Sequence, residues 1–142
     1  MATTRVATTH WAGSLMEGSG TVALESSGVG TFDVNWPSRA EAPNGRTSPE
    51  ELIAAAHSSC FSMALSHGLA GAGTPPETVD TQASVTFQPG EGITGIVLSV
   101  KARVPGLSAD GFQEAARAAK ENCPVSKALA GVTITLEAEL LD

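Results

Sequence analysis

The chain of 142 residues holds two cysteines and no third. A domain of this length buries enough surface to fold on its own core, so the pair is not needed as a structural staple and the chain is no disulfide scaffold. Aromatic residues make up 4% of the sequence, which leaves Ala, Val, Leu and Ile to build the interior. No apolar run approaches the roughly 20 residues that a bilayer-spanning helix needs. The opening MATTRVATTHWAG lacks the apolar stretch of a signal peptide, so a cytoplasmic protein without membrane association is expected. Basic residues are few and scattered, and the net charge is −7, so there is no positive stripe to neutralise phosphates and nucleic acid is not an expected partner. Neither GxGxxG, a P-loop lysine nor a GxSxG elbow occurs. CxxC and HExxH are also missing, and no cofactor or metal site is expected.

What is present is a globular composition, 42% hydrophobic and 16% charged, consistent with one domain over residues 1–142. Short β-like runs at Arg5–Trp11, Thr21–Glu25 and Val29–Val34, punctuated by glycines, predict an antiparallel meander. From Asn35 to Thr47 neither strand nor helix period is visible, and a loop of that length in a compact domain is usually functional. Ser48-Pro49-Glu50-Glu51 then announces a helix: serine at the cap, proline at the first helical position, glutamate where a capping box needs it. The helix is expected over Pro49–Gly71, uncharged after Glu51 and apolar on most faces, hence buried in a core or a subunit interface. Strands at Thr81–Gln88 and Ile93–Val104 flank the turn Pro89–Gly92. A helix over Ala109–Asn122, a short one over Pro124–Ala130 and a strand over Val132–Leu140 follow. The order βββ, α, ββ, αα, β argues for an α+β fold with helices on largely antiparallel sheet.

The residues able to carry chemistry are few. Cys60 sits in the middle of the apolar helix, where burial alone raises a thiol's pKa and leaves it inert. Reactivity there requires a cation, and Arg39 and Arg46 in the patternless segment are the candidates. Cys123 precedes Pro124 and so occupies a helix cap, where the positive end of the dipole favours thiolate. Local physics alone thus ranks Cys123 as the more activated thiol, or else as a mere kink residue between helices. His57 lies three residues before Cys60 on the same helix, but such a pair rarely reaches the ~3 Å contact of general-base work, so a structural histidine is the simpler reading. His57, Cys60 and His67 lack metal-ligand spacing. Glu50 points away from Glu51 and is free to pair with an arginine from the preceding loop.

The run SPEELIAAAHSSCFSMALSHGL, the later AKENCPVSKAL and the closing ITLEAEL, with HWAG and GSGTV near the start, resemble the OsmC/Ohr family of thiol-dependent hydroperoxide reductases over nearly the whole chain. That resemblance implies an intertwined homodimer with a long central helix and a C-terminal helix pair. It implies that Cys60 is the attacking cysteine, Cys123 the resolving one, and Glu50 the holder of an arginine. The segment Ala12–Gly20 contains no arginine, whereas Arg39 lies in the later loop used by the OsmC branch, with Arg46 closer to the helix. The implied activity is a peroxidase that reduces organic hydroperoxides through a Cys60 sulfenic acid and a Cys60–Cys123 disulfide. An external dithiol, by resemblance a dihydrolipoyl protein, would restore the thiols. A different class of reading stays open on the residues alone: a redox sensor or small-ligand-binding module that oxidises once, or a dimer with inert thiols.

Overall fold

A computed structural model describes all residues from Met1 to Asp142. The elements run β1 Thr8–Ala12, β2 Ser19–Ala23, β3 Thr31–Val34, α1 Trp36–Ala40, α2 Pro49–Gly71, β4 Thr78–Gln88, β5 Gly92–Arg103, α3 Ala109–Asn122, α4 Pro124–Ala128 and β6 Ile134–Leu141. This is the expected α+β class. Contacts divide the chain into two compact units, Met1–Leu52 and Ile53–Asp142, with α2 beginning in the first.

In the first unit, β1, β2 and β3 form an antiparallel sheet in that order. The segment read as patternless contains a five-residue helix, α1. One and a half turns are too few to show a 3.6-residue period, so only the cap could have revealed it. Asn35 Oδ1 accepts from the Ser38 backbone N–H at 2.7 Å, and Ser38 Oγ accepts in return from the Asn35 N–H at 3.2 Å, which closes a capping box. At α2 the cap is half of what the sequence suggested. Ser48 Oγ accepts from the Glu51 N–H at 3.1 Å, but the Glu51 carboxylate turns to the Thr47 hydroxyl instead of reaching back.

In the second unit, β4 and β5 form a long antiparallel hairpin whose turn places Gly90 at φ 87° and Gly92 at φ 102°, values that favour glycine. β6 lies parallel to β5, so the sheet is mixed and not antiparallel throughout. The α3–α4 crossover is the reason: a parallel neighbour needs a long connection, and these helices supply it. α4 ends at Ala128, two residues before the expected Ala130.

The core belongs to this unit. Every second residue of β5 from Ile96 to Ala102 is buried, against Phe61, Leu65 and Leu69 of α2 and Phe112, Ala116 and Ala119 of α3. Each large side chain buried in this way contributes about 1.5–3 kcal/mol. The buried stripe on α2 is His57, Phe61, Leu65 and Leu69, a strict i, i+4 series. The opposite face is not covered, for Ala55, Ser59 and Met63 are exposed, Met63 at 71%. No helix is long and apolar enough to cross a membrane.

Candidate functional site

The residues singled out by sequence come together as two pairs. The first pair lies within Met1–Leu52. α1 presents Arg39, whose Nε lies 3.1 and 3.2 Å from the two carboxylate oxygens of Glu50 and whose Nη2 lies 3.0 Å from Oε2. Glu50 is buried while Arg39 is one-third exposed. Ser38 Oγ, 2.9 Å from the Thr47 carbonyl oxygen, and the bridge between Val34 and Thr47 tie α1 to the start of α2. The guanidinium is therefore held by a planar two-point contact rather than by simple charge proximity. Arg46, the other sequence candidate, is exposed in the turn where Asn44 and Gly45 take positive φ. Beside the pair is a largely apolar hollow of about 370 Å³ lined by Trp11, Val22, Val34, Trp36, Arg39 and Leu52.

The second pair lies within Ile53–Asp142. Both cysteines are free thiols, and their sulfurs are 3.0 Å apart. Cys60 is half-buried on α2, packed against the edge of the core; Cys123 is fully buried, closing α3 and opening α4. Burial pushes the Cys60 thiol up, and its contact with the Cys123 sulfur pushes it further. Burial also works to raise Cys123. There it is outweighed by the Cys60 thiol, by the Ser126 N–H and hydroxyl, and by the Val125 N–H, so that Cys123 ends below the ordinary thiol value. The Cys123 side chain closes no capping hydrogen bond of full geometry, so the two N–H groups act as oriented dipoles at the helix start. Within this unit the surroundings favour ionisation of Cys123 over Cys60, the order that local physics in the sequence suggested.

His57 does not pair with Cys60. Its Nε2 lies 2.7 Å from Ser126 Oγ, and its Nδ1 has no partner although the residue is completely buried. Burial lowers its pKa, so the ring is neutral near pH 7. His67 is exposed, and no three His, Cys, Asp or Glu side chains converge on a point that could hold a metal ion. Ser126 is the residue that sequence reasoning passed over. The available signal was its place two residues after Pro124, at the third position of a helix capped by a cysteine. Next to Cys60 an open groove of about 770 Å³ is lined by Met63, Ala64, His67, Ala115, Ala119 and Pro124, nearly all apolar.

Residues 42–137 match the family model described as OsmC-like protein. The chain is 42% identical over 134 residues to peroxiredoxin OsmC of Escherichia coli, covering 92% of each chain. It is 31% identical over 112 residues to organic hydroperoxide resistance protein OhrB of Bacillus subtilis, covering 78% of this chain and 82% of the relative. Among solved structures, an organic hydroperoxide resistance protein OsmC from Legionella pneumophila superposes with a TM-score of 0.75 at 25% identity over 98% of each chain. With the match running across α2, both cysteines and the closing strand, the chain belongs to the OsmC-like protein family.

Proposed function

We infer that this protein is a thiol-dependent peroxidase that reduces organic hydroperoxides to alcohols. The observation that carries the reading is the 3.0 Å approach of Cys60 to Cys123 in a chain of this family. It is supported by relatives whose names are peroxiredoxin and organic hydroperoxide resistance protein. In the proposed cycle the Cys60 thiolate attacks the distal oxygen of ROOH, the O–O bond breaks, and the departing alkoxide takes up a proton to become ROH. Cys60 is left as a sulfenic acid. Cys123 then attacks the Cys60 sulfur, the S–O bond breaks, and water leaves, which protects Cys60 from irreversible oxidation.

The second unit alone favours the thiolate on Cys123, so a peroxidatic Cys60 requires a cation. Arg39 is the proposed one. Its bidentate hold on Glu50 would keep it rigid, able to stabilise both the Cys60 thiolate and the developing alkoxide. The apolar groove beside Cys60 favours a substrate with a hydrocarbon R group over hydrogen peroxide, since apolar surface gains about 25 cal/mol per Å² on leaving water. The regenerating partner is a dithiol, and a dihydrolipoyl protein is the proposed source. A cytoplasmic homodimer is the proposed form, and the exposed apolar side of α2 around Met63 fits a surface that a second subunit covers.

The test is consumption of cumene hydroperoxide with dihydrolipoamide as reductant. Wild type should turn over many times and Cys60→Ser not at all. Equal rates for the two proteins would refute the peroxidase, and a single turnover would point to a sensor.

A further inference from the structure

The fully buried His57 has no task in that cycle, yet it keeps a polar ring in an otherwise apolar stripe. Its companions on that face of α2 are Phe61, Leu65 and Leu69. A leucine would continue the series, whereas the imidazole leaves Nδ1 inside the core without a partner, at a cost in stability. What the ring obtains in return is a single contact: Nε2 lies 2.7 Å from Oγ of the buried Ser126. The tautomer follows from that contact. With the hydrogen on Nδ1, a buried N–H would have no acceptor, an arrangement that folded proteins rarely tolerate. Nε2 therefore carries the hydrogen and donates it to the serine oxygen.

The two ends of this hydrogen bond stand in the same relation to the two sulfurs. His57 is one turn before Cys60 on α2, and Ser126 is one turn after Cys123 at the start of α4. The helices are thus joined at two neighbouring points, by a 2.7 Å N···O contact and a 3.0 Å S···S contact. Only the first can stay constant. The sulfur contact opens when an oxygen is placed on Cys60 and closes to about 2.05 Å in a disulfide. α4 has five residues and no side-chain cap, and the contact with His57 is the only hydrogen bond that a side chain of Pro124–Ala128 makes to another element. So short a helix has little of its own to hold it in place.

We propose that His57 and Ser126 are positioning residues for disulfide formation: their buried hydrogen bond keeps the start of α4, and with it the Cys123 sulfur, against α2 while Cys60 is oxidised. The sulfenic acid rests on the peroxidase reading; the tie between the helices does not. In the step itself, the S–S bond forms as the Cys60 S–O bond breaks, and the departing hydroxyl leaves as water with the hydrogen of the Cys123 thiol. Cys123 is oxidised and the Cys60 sulfur reduced to the common disulfide level, so no further oxidant is required. Neither His57 nor Ser126 gives up a proton. What they supply is effective concentration, since a thiol held within reach reacts as though far more concentrated than a free one.

Effective concentration is measured by equilibrating the chain with reduced and oxidised glutathione and quantifying the Cys60–Cys123 disulfide. Ser126→Ala and His57→Leu should each lower it about tenfold, the scale of one lost buried hydrogen bond. His57→Gln, whose amide N–H can take the place of the Nε2 donor, should recover most of the loss. The double variant His57→Leu/Ser126→Ala leaves neither group unsatisfied, so its urea midpoint should move back toward wild type while its effective concentration stays at the single-variant level. A return of the effective concentration to the wild-type value in the double variant would overturn the proposal, because unsatisfied groups and not the missing tie would then explain the single variants. An unchanged or raised value in Ser126→Ala, or glutamine performing no better than leucine, would overturn it as well. Should His57→Leu fail to fold, Ser126→Ala decides alone. After one equivalent of cumene hydroperoxide, the dimedone-reactive sulfenic acid should also persist about tenfold longer in Ser126→Ala than in wild type. The glutathione equilibrium uses no peroxide, so a missing sulfenic acid would sink the peroxidase reading and leave that equilibrium to judge the tie.

Discussion

The sulfurs of Cys60 and Cys123 lie 3.0 Å apart although the residues are separated by 63 positions in the chain. One comes from the middle of α2, the other from the junction of α3 and α4. A disulfide has an S–S length of about 2.05 Å, so the bond can form with a closure of roughly 1 Å. Neither helix has to unwind for the two thiols to meet.

That proximity predicts the fate of an oxidised Cys60. After one equivalent of cumene hydroperoxide, intact-mass and peptide mapping should find a Cys60–Cys123 disulfide within one chain. In Cys123→Ser the same treatment should give overoxidised Cys60, since nothing remains to intercept the sulfenic acid. Sulfinic acid on Cys60 in the wild-type chain at this stoichiometry would contradict the geometry.

Burial and ionisation oppose each other at the two thiols, and the labelling pattern reports which prevails. Cys123 is pushed down by its neighbours but has no exposed surface, whereas Cys60 is half-buried and pushed up. A bulky maleimide should modify Cys60 first in the native protein and reach Cys123 only on unfolding, because access limits the reaction before thiolate fraction does. The same logic makes Cys60 the sulfur that an incoming dithiol attacks, which a mixed disulfide trapped on Cys60 would verify.

The Arg39–Glu50 contact separates the two arginine candidates. Arg39→Ala should reduce peroxide turnover on the order of 10²-fold or more, the scale of losing one transition-state donor. Arg39→Lys should recover little, since an ammonium cannot repeat the two-point hold on the carboxylate. Arg46→Ala, at an exposed turn, should remain within about twofold of wild type, as surface substitutions usually do. Comparable losses in Arg46→Ala and Arg39→Ala would reassign the cation.

His57 gives a pH signature. Its folded-state pKa lies below the ordinary 6.5, so on acidification the unfolded chain takes up a proton that the folded chain refuses. The contribution to stability is complete above about pH 6.5 and declines as pH falls below it, at up to ~1.4 kcal/mol per pH unit. Urea midpoints between pH 7.5 and 5.5 should fall less steeply in His57→Gln than in wild type. Parallel slopes for the two proteins would show that the ring is protonated in the fold.

Much of the architecture was legible locally. The cap at Ser48 and the proline at Pro49 fix the start of α2, and Gly73, at φ 90° just beyond its last residue Gly71, accompanies its end, because helix ends are set by residues within one turn. α1 was hidden, since five residues cannot display a period. The parallel pairing of β6 with β5 was hidden as well, because strand direction depends on where the α3–α4 crossover returns the chain.

By itself the sequence determined the family, through the resemblance of its two cysteine segments, and the α+β class, through local caps, turns and periodicity. The tertiary structure decided the pairings. It brought Cys60 against Cys123, placed Arg39 rather than Arg46 on Glu50, and turned His57 away from the nearby Cys60 to Ser126, a partner 69 residues away. Hydrogen bonds and thiol ionisation respond to neighbours within about 3 Å, and only the packed chain brings such residues that close.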